Sequence, residues 1–283
     1  MNILICTSHF PHCAETLRRY LPEDHIRSCP ADQVRTAAVE VDVLIPAMYR
    51  VEAASVAEHA IFLMLALARK FPRALDNVRR RVFGAPLGLS LTGKSIAILG
   101  VGSIGVELAR RLRGFHMRVL GIKQNPAEGL RQELGLEFLG GSGDLAKVLA
   151  EADFVVSALP VTPATRGVLN AAALAGMKKS AFLINVGRGP VIDHAALLEA
   201  LTQGVIAGAG LDVFWDEPVD PNDPLFQQNV IATPHIAGVT DLSYHDIARG
   251  LAANVNRIRA GLPPINCVNL ADVEALRRSQ PVS

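Results

Sequence analysis

The feature that most constrains this chain is a glycine-rich turn that joins a short apolar run to an amphipathic segment. The run Ser95–Leu99 predicts a buried strand. Three glycines follow in the pattern G-x-G-x-x-G: Gly100, Gly102 and Gly105. Apolar residues then recur at helical spacing: Ile104, Leu108 and Leu112. Glycines in this context allow a tight turn and a close approach of the backbone to a pyrophosphate, so the unit predicts a dinucleotide site. The alternative is a glycine-rich turn between two core elements.

Length, hydropathy and charge narrow the class of protein. The chain has 283 residues, enough for two domains that each bury a core. Half of the residues are hydrophobic and the mean hydropathy is +0.28, which suits an α/β protein with buried parallel strands. The formal net charge is +1, so nothing indicates a nucleic-acid surface.

Cysteine spacing and apolar runs predict an intracellular protein. Reduced thiols and no bound metal are expected, because none of the cysteines has the spacing of a metal site: Cys6, Cys13, Cys29 and Cys267. The longest apolar run, Ala60–Ala68, is too short to span a bilayer, and the N-terminus lacks a signal-peptide pattern. A cytoplasmic location with no membrane partner is the expectation.

Strand-like and helix-like segments alternate along the chain, which predicts an α/β fold with a doubly wound parallel sheet. Three short strands are predicted in the first 50 residues: Asn2–Cys6, His25–Ser28 and Val41–Ile45. Six follow from residue 95 onward: Ser95–Leu99, Met117–Ile122, Phe154–Ser157, Ala181–Asn185, Ile206–Val213 and Val230–Thr233. The pattern predicts a smaller α/β domain over 1–54 and 240–283, an interdomain helix over 55–82, and a dinucleotide-binding domain over 83–239. Within the interdomain stretch, Ser55 is predicted to cap the helix, with Glu58 completing a capping box.

Three polar residues lie in short connections after predicted strands and form a candidate catalytic set. Arg188 lies between two glycines, Glu217 precedes a proline and His235 follows one. Ligands of an open α/β sheet bind at the carboxyl ends of its strands. There an arginine can bind a carboxylate through two hydrogen bonds, and a histidine can transfer a proton near neutral pH. The alternatives are a surface turn for Arg188, a solvated loop acid for Glu217 and a structural role for His235.

The motifs together resemble the D-isomer-specific 2-hydroxyacid dehydrogenase family, over roughly residues 52–250. The resemblance rests on these stretches: Ser55–His59, Gly100–Gly105, Leu159-Pro160 with Thr165, Asn185–Gly189, Leu211–Phe214, Glu217-Pro218 and Pro234–Gly238. It implies a Rossmann domain beside a smaller flavodoxin-like domain, and a homodimer formed through the long-helix region.

The resemblance also implies roles for residues. Arg188, Glu217 and His235 would be catalytic. The cofactor would meet these residues: Gly100, Gly102, Ser103, Ile104, Gly105, Lys123, Leu159, Pro160, Thr165, Val186, Gly187, Asp212, His235 and Gly238. The implied reaction moves a hydride between a nicotinamide cofactor and a small 2-hydroxy or 2-oxo acid. In the reductive direction, protonated His235 gives its proton to the developing alkoxide, Arg188 binds the substrate carboxylate, and Glu217 favours the protonated histidine.

The position that selects between NAD and NADP departs from the usual pattern. NAD-binding sites place a carboxylate about 20 residues beyond the glycines, where it bonds the ribose 2′-hydroxyl. Here Lys123 occupies that place, and a lysine attracts a 2′-phosphate. NADP is therefore favoured over NAD. The alternative is that Lys123 points to solvent and either cofactor binds.

A second departure is a shortened first domain. Family members carry further strands and a glycine-rich loop that binds the substrate carboxylate, whereas Met48–Ala54 spans that whole interval here. An active reductase, helped at the shortened site by Tyr49 or Arg50, is the first hypothesis. The second is a cofactor-binding protein with little turnover, either a sensor or a degenerate paralogue. A related enzyme acting on formate or a thioether nucleoside is a third, which the Glu-Pro and Pro-His motifs disfavour.

Overall fold

A computed structural model describes residues 1–6, 12–30, 33–38, 41–45 and 53–265. The chain divides into two compact units, one formed by residues 1–51 and 241–283 and the other by residues 52–240. The predicted helpers Tyr49 and Arg50 lie outside the described residues.

The smaller unit contains a three-stranded parallel sheet. Its described elements are β1 (Asn2–Cys6), α1 (His12–Tyr20), β2 (His25–Cys29), α2 (Val34–Ala37) and β3 (Val43–Ile45). The strand order is β2-β1-β3, with both pairs parallel. Each strand matches a predicted one to within about two residues at its ends.

The larger unit contains a seven-stranded parallel sheet. Its helices are α3 (Ala53–Ala68), α4 (Phe71–Arg79), α5 (Ser103–Leu112), α6 (Glu128–Leu134), α7 (Leu145–Glu151), α8 (Ala171–Ala175) and α9 (His194–Thr202). Its strands are β4 (Ser95–Leu99), β5 (Arg118–Ile122), β6 (Phe138–Gly140), β7 (Phe154–Ser157), β8 (Phe182–Asn185), β9 (Gly208–Leu211) and β10 (Val230–Ala232).

The strand order is β10-β9-β8-β7-β4-β5-β6, and every neighbouring pair is parallel. The predicted doubly wound α/β fold is therefore confirmed. The chain proceeds outward from β4 to β6 and then returns to build the other half from β7. This reversal between β4 and β7 opens a crevice at the carboxyl ends of the strands, where such folds bind ligands.

Helices cover both faces of this sheet. On one face, strand residues such as Leu99, Val155 and Leu183 share a buried apolar cluster with Leu174 of α8 and Leu197 of α9. On the other, α3 packs against α5 and against β8, β9 and β10. Helix α3 approaches β9 closely at Gly210, where a Cβ atom would lie 3.1 Å from Leu63 Cβ, closer than most such contacts.

One local expectation is wrong, and one strand was missed. Helix α3 begins at Ala53, so Ser55 is an interior residue and not its cap, and it is buried. Strand β6 was not predicted at all. It has three residues and ends at a glycine, which is too short to show an alternating apolar pattern.

The last helix, α10 (Asp241–Arg259), belongs to the smaller unit and packs against α1. Its final residue, Arg259, donates hydrogen bonds to both carboxylate oxygens of Asp24 at 2.6 Å. Within the part of the chain that the structure describes, no helix is both long enough and apolar enough to cross a membrane.

Candidate functional site

The predicted site residues lie beyond a single row of strand ends. In the sheet register this row runs across six strands through Ile122, Leu99, Ser157, Asn185, Leu211 and Ala232. Each of the polypeptide segments that follows one of these residues carries at least one predicted site residue. Parallel pairing therefore brings to one edge of the sheet residues that are far apart in the sequence.

The glycine-rich loop connects β4 to α5 in the manner that phosphate binding requires. A Cβ atom on Gly105 would lie 2.5 Å from the carbonyl oxygen of Gly100, so this tight turn requires glycine at position 105. A Cβ atom on Gly102 would meet no atom within 4 Å, so open space lies beside the loop. Ser103 and Ile104 begin α5, whose first turn presents backbone N–H groups and the positive end of the helix dipole. These features fit a pyrophosphate group.

Lys123 lies beside this loop. It follows β5 directly, and its Nζ donates a hydrogen bond of 2.9 Å to the carbonyl oxygen of Val101, between the first two glycines of the fingerprint. The side chain therefore does not extend into solvent, contrary to the alternative considered from the sequence. Its ammonium group adds positive charge to the region where the ribose end of a dinucleotide binds in this fold.

The segment after β7 forms a turn closed by Thr165. Its hydroxyl donates to the carbonyl oxygen of Pro160 at 2.6 Å and accepts a hydrogen bond from the Thr162 N–H at 2.8 Å. Leu159 lies directly against the next segment, because a Cβ atom on Gly187 would lie 2.6 Å from the Leu159 carbonyl oxygen. The predicted cofactor residues Leu159, Pro160 and Gly187 are thus neighbours in the structure.

Arg188 projects from a backbone held on both sides. Beyond Gly187, a Cβ atom on Gly189 would lie 2.1 Å from the Phe214 carbonyl oxygen, so the glycine on each side of Arg188 is needed for close backbone contact. Asn185, which is fully buried, receives a hydrogen bond from the Gly187 N–H at 3.1 Å and donates one to the Arg188 carbonyl oxygen at 2.9 Å. The guanidinium is exposed and donates to the Gly187 carbonyl oxygen at 2.7 Å. Arg188 is therefore an accessible cation on a fixed loop.

Glu217 and His235 form a direct pair. His235 Nδ1 lies 2.7 Å from Glu217 Oε2, with the side chains 42% and 35% exposed. The other oxygen, Glu217 Oε1, accepts a hydrogen bond from the Phe214 N–H at 3.1 Å, which fixes the carboxylate. Because Nδ1 is engaged by the carboxylate, Nε2 is the ring nitrogen left to face a ligand.

Asp212 supports the segment that carries His235. Its side chain is 1% exposed, and the backbone N–H groups of Ile236 and Ala237 donate to its two oxygens at 2.9 Å each. The hydroxyl of Thr233 donates to Oδ1 at 2.6 Å. The carboxylate therefore fixes residues on both sides of His235, and its predicted contact with the cofactor stays a prediction. The remaining predicted cofactor residues are Val186, buried after β8, and Gly238, half-buried after β10.

Sequence reasoning did not assign Asn185, Thr233 or Ile236 to the site. Asn185 offered a signal, since an asparagine at the end of a buried strand needs hydrogen-bond partners. Thr233 and Ile236 offered none, because their partners come from other segments of the chain.

Comparison with known proteins identifies the family. Residues 61–237 match the model of the D-isomer specific 2-hydroxyacid dehydrogenase, NAD binding domain. Glyoxylate reductase of Pyrococcus furiosus is 41% identical over 223 residues, which are 75% of this chain and 65% of that protein. D-3-phosphoglycerate dehydrogenase of Archaeoglobus fulgidus is 35% identical over 226 residues, 78% of this chain and 42% of that protein. The chain thus spans less than two thirds of the length of each of these relatives.

A solved structure agrees over nearly the whole chain. The D-isomer specific 2-hydroxyacid dehydrogenase from Xanthobacter autotrophicus Py2, in complex with NADPH and MES, superposes with a TM-score of 0.75. The match covers 96% of this chain and 98% of that one, at 26% identity. The motifs, the strand order and these similarities agree, and the chain belongs to the D-isomer specific 2-hydroxyacid dehydrogenase family.

Proposed function

We propose that this chain is a reductase that converts a small 2-oxo acid to the corresponding 2-hydroxy acid with NADPH. The observation that carries the proposal is the pair of His235 and Glu217, which lies at the same sheet edge as the glycine-rich loop. An imidazole held by a carboxylate is suited to give and take a proton near neutral pH. One of the relatives is a glyoxylate reductase, whose name places its substrate in this class.

Three side chains of this chain have distinct roles in the proposed reduction. Arg188, exposed on its fixed loop, binds the substrate carboxylate through paired hydrogen bonds. His235, protonated and oriented through Nδ1, donates the proton on Nε2 to the carbonyl oxygen as negative charge develops there. Glu217 stabilises the imidazolium through its charge. A bound nicotinamide cofactor supplies the hydride that the carbonyl carbon receives.

Lys123 supports NADPH as the favoured cofactor. Its ammonium lies over the glycine-rich loop at the position where NAD-binding chains place a carboxylate. A 2′-phosphate gains a charge-assisted hydrogen bond there, whereas a ribose hydroxyl gains less. The structural neighbour from Xanthobacter autotrophicus was solved with NADPH.

The test is oxidation of NADPH and of NADH with glyoxylate, hydroxypyruvate and pyruvate, beside a titration of cofactor binding. Faster turnover with NADPH supports the proposal and its cofactor. Tight cofactor binding without turnover on any of the three acids contradicts it and supports the sensor or degenerate paralogue.

Replacing Lys123 with Asp tests the cofactor preference. The carboxylate repels a 2′-phosphate and can accept a hydrogen bond from a ribose hydroxyl. We therefore expect the ratio of kcat/KM for NADPH to that for NADH to fall by about 100-fold. The 2′-phosphate loses one charge-assisted hydrogen bond to the lysine and is repelled by the new carboxylate. Lys179→Asp, at an exposed position before β8, is the control. An unchanged ratio in the Lys123 variant removes this residue from the argument.

A homodimer is proposed from an apolar stripe that begins on α4. Phe71, Leu75 and Val78 are spaced at positions i, i+4 and i+7, and their exposed fractions are 45%, 45% and 76%. Two residues of the following segment, Phe83 and Leu87, are 93% and 88% exposed. Several exposed large apolar side chains in one short stretch of chain are typical of a protein interface. A cytoplasmic location and the role of the smaller unit in substrate choice stay predictions.

A further inference from the structure

Helix α3 contacts both ends of the segment that carries His235. The contacts come from Ser55 and His59, which are one turn apart on the same face of the helix. Ser55 Oγ lies 2.8 Å from Thr240 Oγ1, and His59 Nε2 lies 2.8 Å from Thr233 Oγ1. We call these two contacts the α3 clamp, and residues 233–240 the His235 segment.

The hydrogen-bond directions at His59 follow from the chemistry of its partners. Thr233 has one hydroxyl proton, and the Asp212 carboxylate, 2.6 Å away, can only accept it. The threonine oxygen must therefore accept from His59, so Nε2 carries the proton. Burial lowers the pKa of His59, although the negative charge of Asp212 opposes this shift, and the neutral form with one N–H is consistent with a lowered value.

The resulting chain of bonds runs from α3 to the backbone beside His235. His59 donates to Thr233, Thr233 donates to Asp212 Oδ1, and the same oxygen accepts the Ile236 N–H. His235 itself has a left-handed backbone, with φ of 55°. This conformation is unfavourable for a residue with a side chain and persists only where neighbouring contacts impose it.

We propose that His59 is a positioning residue that, through Thr233 and Asp212, holds His235 in the conformation needed for proton transfer. Ser55 fixes the far end of the same segment through Thr240. The Ser55–His59 motif of α3 thereby acquires a role in the reaction through the protein groups that it bonds. Only the kinetic part of the test rests on the proposed function.

The first measurement does not depend on activity. Hydrogen–deuterium exchange is followed in peptides that cover the His235 segment, in the wild type, His59→Leu and His59→Gln. Glutamine can donate from its amide to Thr233, whereas leucine cannot. We expect exchange of this segment to be about fivefold faster in His59→Leu, as for the loss of one hydrogen bond, and close to the wild-type rate in His59→Gln.

The second measurement separates binding from turnover. Misplacement of the proton donor lowers kcat, so we expect a loss of about tenfold in His59→Leu, with the dissociation constant for NADPH within about twofold of wild type. His59→Gln should recover most of the loss. Glu58→Gln is the matched control, because Glu58 is the preceding residue and pairs with Arg111 at the surface.

The outcomes are distinct. If His59→Leu leaves exchange and kcat within twofold of wild type, or if the Gln variant is as impaired as the Leu variant, the positioning role is overturned. If His59→Leu does not fold, Thr233→Val and Thr233→Ser provide the same comparison at the next bond of the chain. If the wild type turns over no 2-oxo acid, the proposed function fails. The exchange experiment still tests whether the α3 clamp holds the His235 segment in place.

Discussion

His235 combines an exposed side chain with a backbone conformation that costs a non-glycine residue about 1–2 kcal/mol. The cost is offset by neighbouring bonds, since the next two backbone N–H groups both donate to the buried Asp212 carboxylate. Each such bond to a charged acceptor contributes about 1.5–3 kcal/mol net. The strain is thus stabilised by contacts that leave the imidazole accessible.

Replacing Glu217 with Gln tests the charge that acts on His235. The amide oxygen can still accept the Phe214 N–H, so the loop stays in place, but the negative charge beside the imidazole is lost. In the direction of 2-oxo acid reduction we expect kcat to fall by about tenfold, because the proton donor loses the charged group that assists it. The measurement is kcat with NADPH and saturating 2-oxo acid, with Asp216→Asn as the control. An unchanged kcat would separate Glu217 from the proton transfer.

The lowered pKa of His59 makes a prediction about stability. Burial favours the neutral ring in the folded protein, while the unfolded chain takes up a proton below about pH 6.5. The unfolded state then binds more protons, so the wild type loses stability as pH falls below about 6.5. Against His59→Gln, the difference in free energy of unfolding should be constant above about pH 7 and should shift in favour of the variant as pH falls to 5. Urea unfolding at several pH values measures it.

A shift in favour of the wild type at low pH would contradict this sign. It would mean that Asp212 stabilises the charged ring more than burial destabilises it.

At the level of single residues, the sequence indicates the reactive side chains better than the residues that hold them in place. Arg188, Glu217 and His235 stand out because each follows a strand within a Gly or Pro context. The bonds from His59 to Thr233 and from Asn185 to its neighbours depend on which segments fold against one another. The capping prediction for Ser55 failed for this reason, since its hydroxyl bonds Thr240, at the far end of the larger unit's sequence.

Among the helices and strands, α4 exposes a row of apolar side chains to solvent. Its apolar stripe faces away from the core of its own unit, and Asn77 is the buried residue of the helix. The hydrophobic effect favours covering such a stripe, and a second copy of the same helix offers a surface of matching chemistry.

The double variant Leu75→Glu, Val78→Glu should therefore weaken self-association. We expect the wild type to sediment as a dimer and the variant to show a dissociation constant at least about tenfold higher, because two charges would be buried in the interface. Arg73→Glu, on the opposite side of α4, is the matched control and should leave the dimer unchanged. Sedimentation at several concentrations gives the result, and a wild-type monomer at all concentrations would contradict the proposal.

Most elements could be predicted because buried parallel strands give apolar runs and helices give periodic ones. Strand β6 was not predicted because three residues are too few to show an alternating apolar pattern. Its position at the edge of the sheet becomes clear only from its pairing with β5. The sheet order was not predicted either, since the sequence pattern gives alternation but not which strands become neighbours.

At the scale of the whole molecule, the two units carry different optical probes. The single tryptophan, Trp215, lies in the larger unit and donates from Nε1 to the Ile192 carbonyl oxygen at 2.6 Å. The three tyrosines, at positions 20, 49 and 244, all fall in the smaller unit. Selective excitation of tryptophan therefore reports the larger unit, and tyrosine emission reports the smaller one.

NADPH should stabilise the unit that contains the glycine-rich loop. At about 100 times its dissociation constant, it should add about 2.7 kcal/mol to the free energy of unfolding reported by tryptophan. Tyrosine emission should follow a separate transition that moves less. Urea titrations with and without NADPH measure both, with NMN as a weaker-binding control. Coincident transitions that shift together would mean that the units unfold as one.

The position of α3 has a consequence for synthesis on the ribosome. This mostly apolar helix is complete at Ala68, whereas three of the strands that cover it, β8 to β10, begin at Phe182 and end at Ala232. At translation rates of about 5–20 residues per second, on the order of ten seconds pass between the synthesis of α3 and that of strands β8 to β10. During that time the nascent chain presents an apolar helix that lacks its cover from the sheet, which makes it a natural client for chaperones that bind at the ribosomal exit.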